Sequence, residues 1–190
     1  MPRNLKEAPV EPASRFYLVF FIKLFLIYLS WRLFEFVMGI ESQPLGERLF
    51  PEISFYWEWL NNQLRTVLIH ATGLCLSSLG YECKISSDCY IINITGFRGV
   101  AIGNYCLAFQ FMFFFSSLIL ISPFPARVKL WSIPLGLTAI QALNVFRFVG
   151  LSLVIVHFPG WEVKMHNYFF NTSVLVVTLV IYMKLLSKYG

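Results

Sequence analysis

The chain has 190 residues, of which 57% are hydrophobic, 18% aromatic and only 13% charged. A soluble globular domain carries about 25% charged residues, so this composition excludes a water-exposed globule and predicts one bundle of apolar helices in lipid. The net charge of +5 fits basic cytoplasmic loops, and no basic patch interleaved with aromatics suggests nucleic acid.

Residues 1–15 read as a cytoplasmic tail, because Arg3, Lys6 and Arg15 precede the first apolar run. Residues 16–40 form the first predicted transmembrane helix. Lys23, Arg32 and Glu35 inside it, and the lack of an A-x-A site after it, argue against a cleaved signal peptide. A loop with Pro44, Gly46 and Pro51 follows. Over 55–79, Trp57, Leu60, Leu64, Val67, Leu68, Ala71, Leu74 and Cys75 recur at spacings of three and four, with Asn61, Asn62, Arg65 and Ser77 between them. That amphipathic pattern favours a helix lying in the outer interface over the alternative, one crossing the bilayer.

At 81–101 the period changes. Ile85, Tyr90, Ile91, Ile92 and Ile94 are β-prone, and Ser86-Ser87-Asp88 and Gly96 break the run, which predicts a small extracytoplasmic β-ribbon. The four cysteines are Cys75, Cys83, Cys89 and Cys106. None has CxxC spacing, so no zinc site is implied. Cys83 and Cys89 flank the first turn and are either a disulfide in an extracytoplasmic loop or two unpaired small residues.

Three further apolar runs, at 104–123, 129–158 and 167–186, each have the roughly 20 residues that spanning requires. Pro134, Gly136 and Gly150 in the second allow it to tilt, kink or break. Arg127 and Lys129 lie between the first two of these runs, and Lys184 and Lys188 close the chain. The positive-inside rule puts both groups in the cytoplasm, which four crossings satisfy if 55–79 does not cross. The predicted fold is therefore an all-α membrane protein of about four transmembrane helices, with an outer interfacial helix and a β-ribbon.

Arg147 is the residue this frame does not explain. A guanidinium keeps its charge, and one in a bilayer costs about 3 kcal/mol on insertion scales. Asn144 and Gln141, three and six residues earlier, share its helical face. Counting 1.5 Å per residue from Trp131 puts Arg147 about 24 Å up its helix, in the outer third. Cys106 and His166 fall near the same depth, though distant in sequence. Thiolate is the nucleophilic form of cysteine, a histidine can take its proton and later return it to a leaving amine, and an arginine can stabilise an oxyanion. Gln110 lies one helical turn beyond Cys106 and is a candidate pocket residue, as are Asn144 and Gln141.

Each residue also has a plainer role. Cys106 is then a small helix residue, Arg147 an ion-pair partner of Glu162, and His166 an interfacial histidine. His157, at the end of Arg147's own helix, is the rival base. His70 reads as a surface residue and Arg98 as a solvated strand charge.

Cys106, the Asn144-Val145-Phe146-Arg147 run and His166 together resemble the exosortase/archaeosortase family of membrane cysteine transpeptidases, over roughly residues 81–186. In that family a cysteine opens a transmembrane helix, an arginine follows an asparagine by three on a later helix, and a histidine or second arginine lies near the next outer loop. The family's cysteine context is Ala-Cys-Ser-Gly. This chain has Tyr105-Cys106-Leu107-Ala108. The resemblance implies cleavage of a C-terminal sorting tail on exported proteins at the outer face of the cell membrane, with transfer of the new end to an envelope acceptor. Cys106, Arg147 and His166 would be catalytic, with no metal or organic cofactor. A small transporter binding an anion at Arg147, or a non-catalytic assembly subunit, remains the alternative. Neither the recognised signal nor the oligomeric state is written in the sequence.

Overall fold

The computed structural model describes residues 13–38, 50–86 and 91–189. Helix α1 is Ala13–Met38 and α2 is Pro51–Ser78. Three short strands follow, β1 Cys83–Ile85, β2 Ile91–Ile94 and β3 Val100–Ala101. A 3-10 turn, Asn104–Leu107, leads into α3, Phe109–Ile121. Then come α4, Ala126–His157, a single turn α5, Glu162–Lys164, a π-helical segment, Met165–Phe170, and α6, Asn171–Tyr189. Among the described residues, three segments are long and apolar enough to cross a membrane: Asn104–Ile121, Ala126–His157 and Thr172–Tyr189. They point to a membrane protein.

Prolines set two of the helix starts. Pro51 occupies the first turn of α2, where its missing N–H costs nothing. Pro125 precedes α4 in an extended conformation. Pro134 does not break α4, which runs 32 residues without interruption, about 48 Å. Two residues further on, Gly136 lets α3 come close: a Cβ there would sit 2.0 Å from the Phe115 ring. Phe115, Ile119, Ile140 and Val174 form one buried cluster among α3, α4 and α6.

The strands form an antiparallel sheet in the order β1-β2-β3, with Ile85 opposite Ile92 and Ile92 opposite Val100. Its buried residues Ile92, Ile94, Val100 and Ile102 join Leu68, Ile69 and Leu76 of α2 and Phe148 of α4 in the second core. The sheet therefore sits on the α2–α4 pair. Cys83 directs its thiol to the Tyr81 carbonyl at 3.7 Å; Cys89, its proposed partner, lies outside the described residues, as do the tail at 1–12 and the end of the first apolar run.

The packing face of α2 corrects the sequence reading. Its buried stripe is Ser54, Asn61, Arg65, Leu68, Ile69, Thr72, Gly73 and Leu76, while Leu60, Val67 and Leu74 are exposed. Part of the predicted apolar ridge faces outward, while Leu68 stays buried with Leu64 and Cys75 packed beside it, and half of the inward ridge is polar. Arg65 packs inward because its acceptors, the Ile102 carbonyl and Asn104, lie there.

Candidate active site

Cys106 does not lie on the helix that was expected to begin at 104. It sits in the 3-10 turn, and Ala108 separates turn from helix with a left-handed backbone, φ 61° and ψ 20°. A non-glycine residue rarely adopts this conformation. The break rotates α3 relative to the turn, so the one-turn spacing from Cys106 to Gln110 no longer puts them on one face. Gln110 instead lines a separate small cavity with Trp31, Glu35, Trp57, Asn61 and Asn104.

Side chains from two helices hold the turn. From α4, Asn144 Nδ2 donates to the Cys106 carbonyl at 2.8 Å, and Gln141 Nε2 donates to the Leu107 carbonyl at 2.9 Å. From α2, Arg65 Nε donates to the Ile102 carbonyl at 3.0 Å, Nη1 to Asn62 Oδ1 at 2.7 Å, and Nη2 to Asn104 Oδ1. Asn144 and Gln141 thus grip the backbone that carries the cysteine. Sequence reasoning read Arg65 only as a polar residue between apolar ones; here it braces the segment leading into the Cys106 turn.

Arg147 lies three residues beyond Asn144 and is 4% exposed. Its Nη2 donates to His166 Nε2 at 3.1 Å and lies 3.4 Å from Nδ1. A guanidinium only donates, so the ring nitrogen facing it carries no proton. Burial first, and the Arg147 charge second, hold the His166 pKa below its ordinary 6.5. Arg147 also lies within Coulombic reach of Cys106. Its Nε, like Asn144 Oδ1, is buried without a hydrogen-bond partner.

Cys106 and His166 line one cavity of about 300 Å³. Gly99, Val100 and Ala101 form another part of its wall, Leu151 and Ile155 contribute from α4, and Glu162 and Val163 from the segment before His166. Among the described residues no hydrogen bond joins the Cys106 thiol to His166; the cavity lies between their elements. Glu162 forms no ion pair with Arg147 and accepts the Gly160 N–H at 2.6 Å. His157 is turned to Tyr81, whose hydroxyl is 2.8 Å from Nε2, and it does not line the cavity. His70 and Arg98 are exposed.

The arrangement puts a thiol and an imidazole on one ligand-sized cavity, with the buried Arg147 guanidinium hydrogen-bonded to that imidazole. No protein-family model, curated protein or solved structure matches the chain.

Proposed function

We propose that the chain is a membrane-embedded cysteine transpeptidase of the exosortase type, with Cys106 as nucleophile, His166 as base and acid, and Arg147 as the electrostatic stabiliser. The observation that carries this reading is the buried Arg147, hydrogen-bonded to a neutral His166 that shares a cavity with Cys106. Among the described residues the Arg147 Nε has no acceptor, which leaves it a donor for a substrate oxygen.

The chemistry follows from the charges. His166 gives up the Arg147 N–H hydrogen bond and takes the thiol proton on the freed lone pair, and Cys106 Sγ attacks the peptide carbonyl carbon. The carbonyl π electrons move to oxygen, and Arg147 stabilises that oxyanion. His166, now charged beside Arg147, is a willing acid. It returns the proton to the departing amine nitrogen as the C–N bond breaks, leaving a thioester on Sγ. An amine or hydroxyl acceptor then displaces Sγ, or water hydrolyses it.

The backbone at Ala108 also supports the resemblance. The family motif puts glycine two residues after its cysteine. Here that position is Ala108, whose φ of 61° is one that glycine adopts without strain.

In this reading α1 is the fourth crossing, since its 26 residues reach about 39 Å. The basic groups then place the N-terminus, the loop containing Arg127 and the C-terminal lysines in the cytoplasm. The site faces outward, and the substrates are exported proteins with a C-terminal sorting tail.

The test labels intact cells with a membrane-impermeant thiol reagent, in a background lacking Cys75, Cys83 and Cys89. Labelling should occur at Cys106, vanish in Cys106→Ser and fall sharply in Arg147→Ala. Labelling indifferent to Arg147, or none at Cys106, would overturn the reading and leave Arg147 as an anion site or an assembly contact.

A further inference from the structure

The cavity beside Cys106 has one wall made of main chain. β3 is the last strand in the order β1-β2-β3, and among the described residues its only ladder is the one to β2. The same stretch, Gly99 to Ala101, lines the cavity. Val100 sends its side chain into the core, where it is 5% exposed. Gly99 has none, and a Cβ there would lie 2.0 Å from Asn93 Oδ1 and 2.5 Å from Ile91 Cγ2. Glycine is required at 99 because the chain is pressed against β2.

We propose that the substrate binds as an extended peptide added to the free edge of β3, and that this pairing carries its scissile carbonyl to Cys106. The inference rests on the transpeptidase reading and specifies how its substrate is held. An unpaired strand edge displays N–H and C=O groups at a fixed repeat, and the ligand that satisfies them in register is another peptide backbone. At about 3.3 Å per residue, Gly99 to Ala101 offers an edge for about three substrate residues. A strand sends alternate side chains to opposite faces, so one set of substrate side chains meets Leu151, Ile155 and Val163. Those apolar walls select aliphatic residues at alternate positions, whereas the backbone ladder asks nothing of sequence. The chain after Ile102 runs directly into the turn holding Cys106, so register on β3 sets which carbonyl meets the thiol.

The experiment uses the full wild-type chain in detergent. The probes are a capped aliphatic tetrapeptide ending in a vinyl sulfone and its analogues, each N-methylated at one backbone amide. In labelling, Sγ adds to the terminal vinyl carbon and the carbon next to the sulfone takes up the proton. Iodoacetamide, which needs no peptide site, serves as reference. N-methylation should slow Cys106 labelling about tenfold at alternate amides and leave the intervening ones within a few-fold. Equal sensitivity at every amide, or at none, would overturn strand addition and favour side-chain recognition or a lipid chain in the cavity. Iodoacetamide labelling with no peptide labelling would also overturn it while leaving the transpeptidase reading intact. If Cys106 reacts with neither reagent, both fall together.

Discussion

The chain buries two arginines on facing helices and uses them in opposite ways. Arg65 on α2 is 2% exposed and Arg147 on α4 is 4% exposed. Both follow an asparagine by three residues. Asn62 accepts from Arg65 within its own helix, and the guanidinium also reaches Ile102 and Asn104. Asn144 instead turns away from Arg147 to hold the Cys106 carbonyl, leaving Arg147 with His166 and an unused Nε. The same four-residue pattern thus gives a saturated staple in one region and a cation with spare capacity in the other. A buried charge that spends its donors on the protein stabilises a fold; one that holds a donor back has something to offer a substrate.

That contrast is broken most severely at Arg65. Arg65→Ala leaves the buried Ile102 carbonyl and two asparagine oxygens without their donor, and a buried acceptor left unmet costs about 1–3 kcal/mol of stability. Unfolding in detergent should show it, and Arg65→Lys should recover only part, because an ammonium cannot reproduce the planar fork. Stability unchanged in Arg65→Ala would remove the staple.

Arg147→Gln should do the reverse. Its effect should fall on chemistry, slowing acylation of Cys106 by p-nitrophenyl acetate about 10²- to 10³-fold, with a smaller stability loss than Arg65→Ala. Equal stability losses with an intact nitrophenolate burst would erase the distinction between the two arginines.

The smallest effect is a shift in pH dependence. In the proposed mechanism His166 is a neutral base, and burial followed by the Arg147 charge holds its pKa below 6.5. Neutral imidazole therefore persists as pH falls through 6.5, and acylation should be lost only below that value. In Arg147→Gln the midpoint should rise partway, since burial remains. A wild-type midpoint at or above 6.5 would mean that His166 is not the group titrating.

The sequence carried much of the site because a charge in an apolar run is a loud signal. Arg147 singled out α4, and depth along the helices then suggested Cys106 and His166, which the structure puts on one cavity. Arg65 went unread because it stood between leucines on a segment taken as amphipathic, where polar residues are assumed to face water. The assumption fails here, because α2 packs by Asn61 and Arg65. Gln110 was misplaced for a different reason. Alanine is the strongest helix former, so nothing at Ala108 announces a left-handed break; tertiary bonds from Asn144, Gln141 and Arg65 impose it from outside the segment. The π-helical segment at Met165–Phe170, which carries His166, left no periodic trace for the same reason.

The inward polar ridge of α2 also bears on how the chain is made. Arg65 bonds Asn62 within its own helix and takes further acceptors from beyond it. Two of its acceptors, Ile102 and Asn104, are synthesised some forty residues later. Its other neighbour, α4, emerges later still. The contacts that fix α2 against the turn carrying Cys106 therefore form only once that turn has been made.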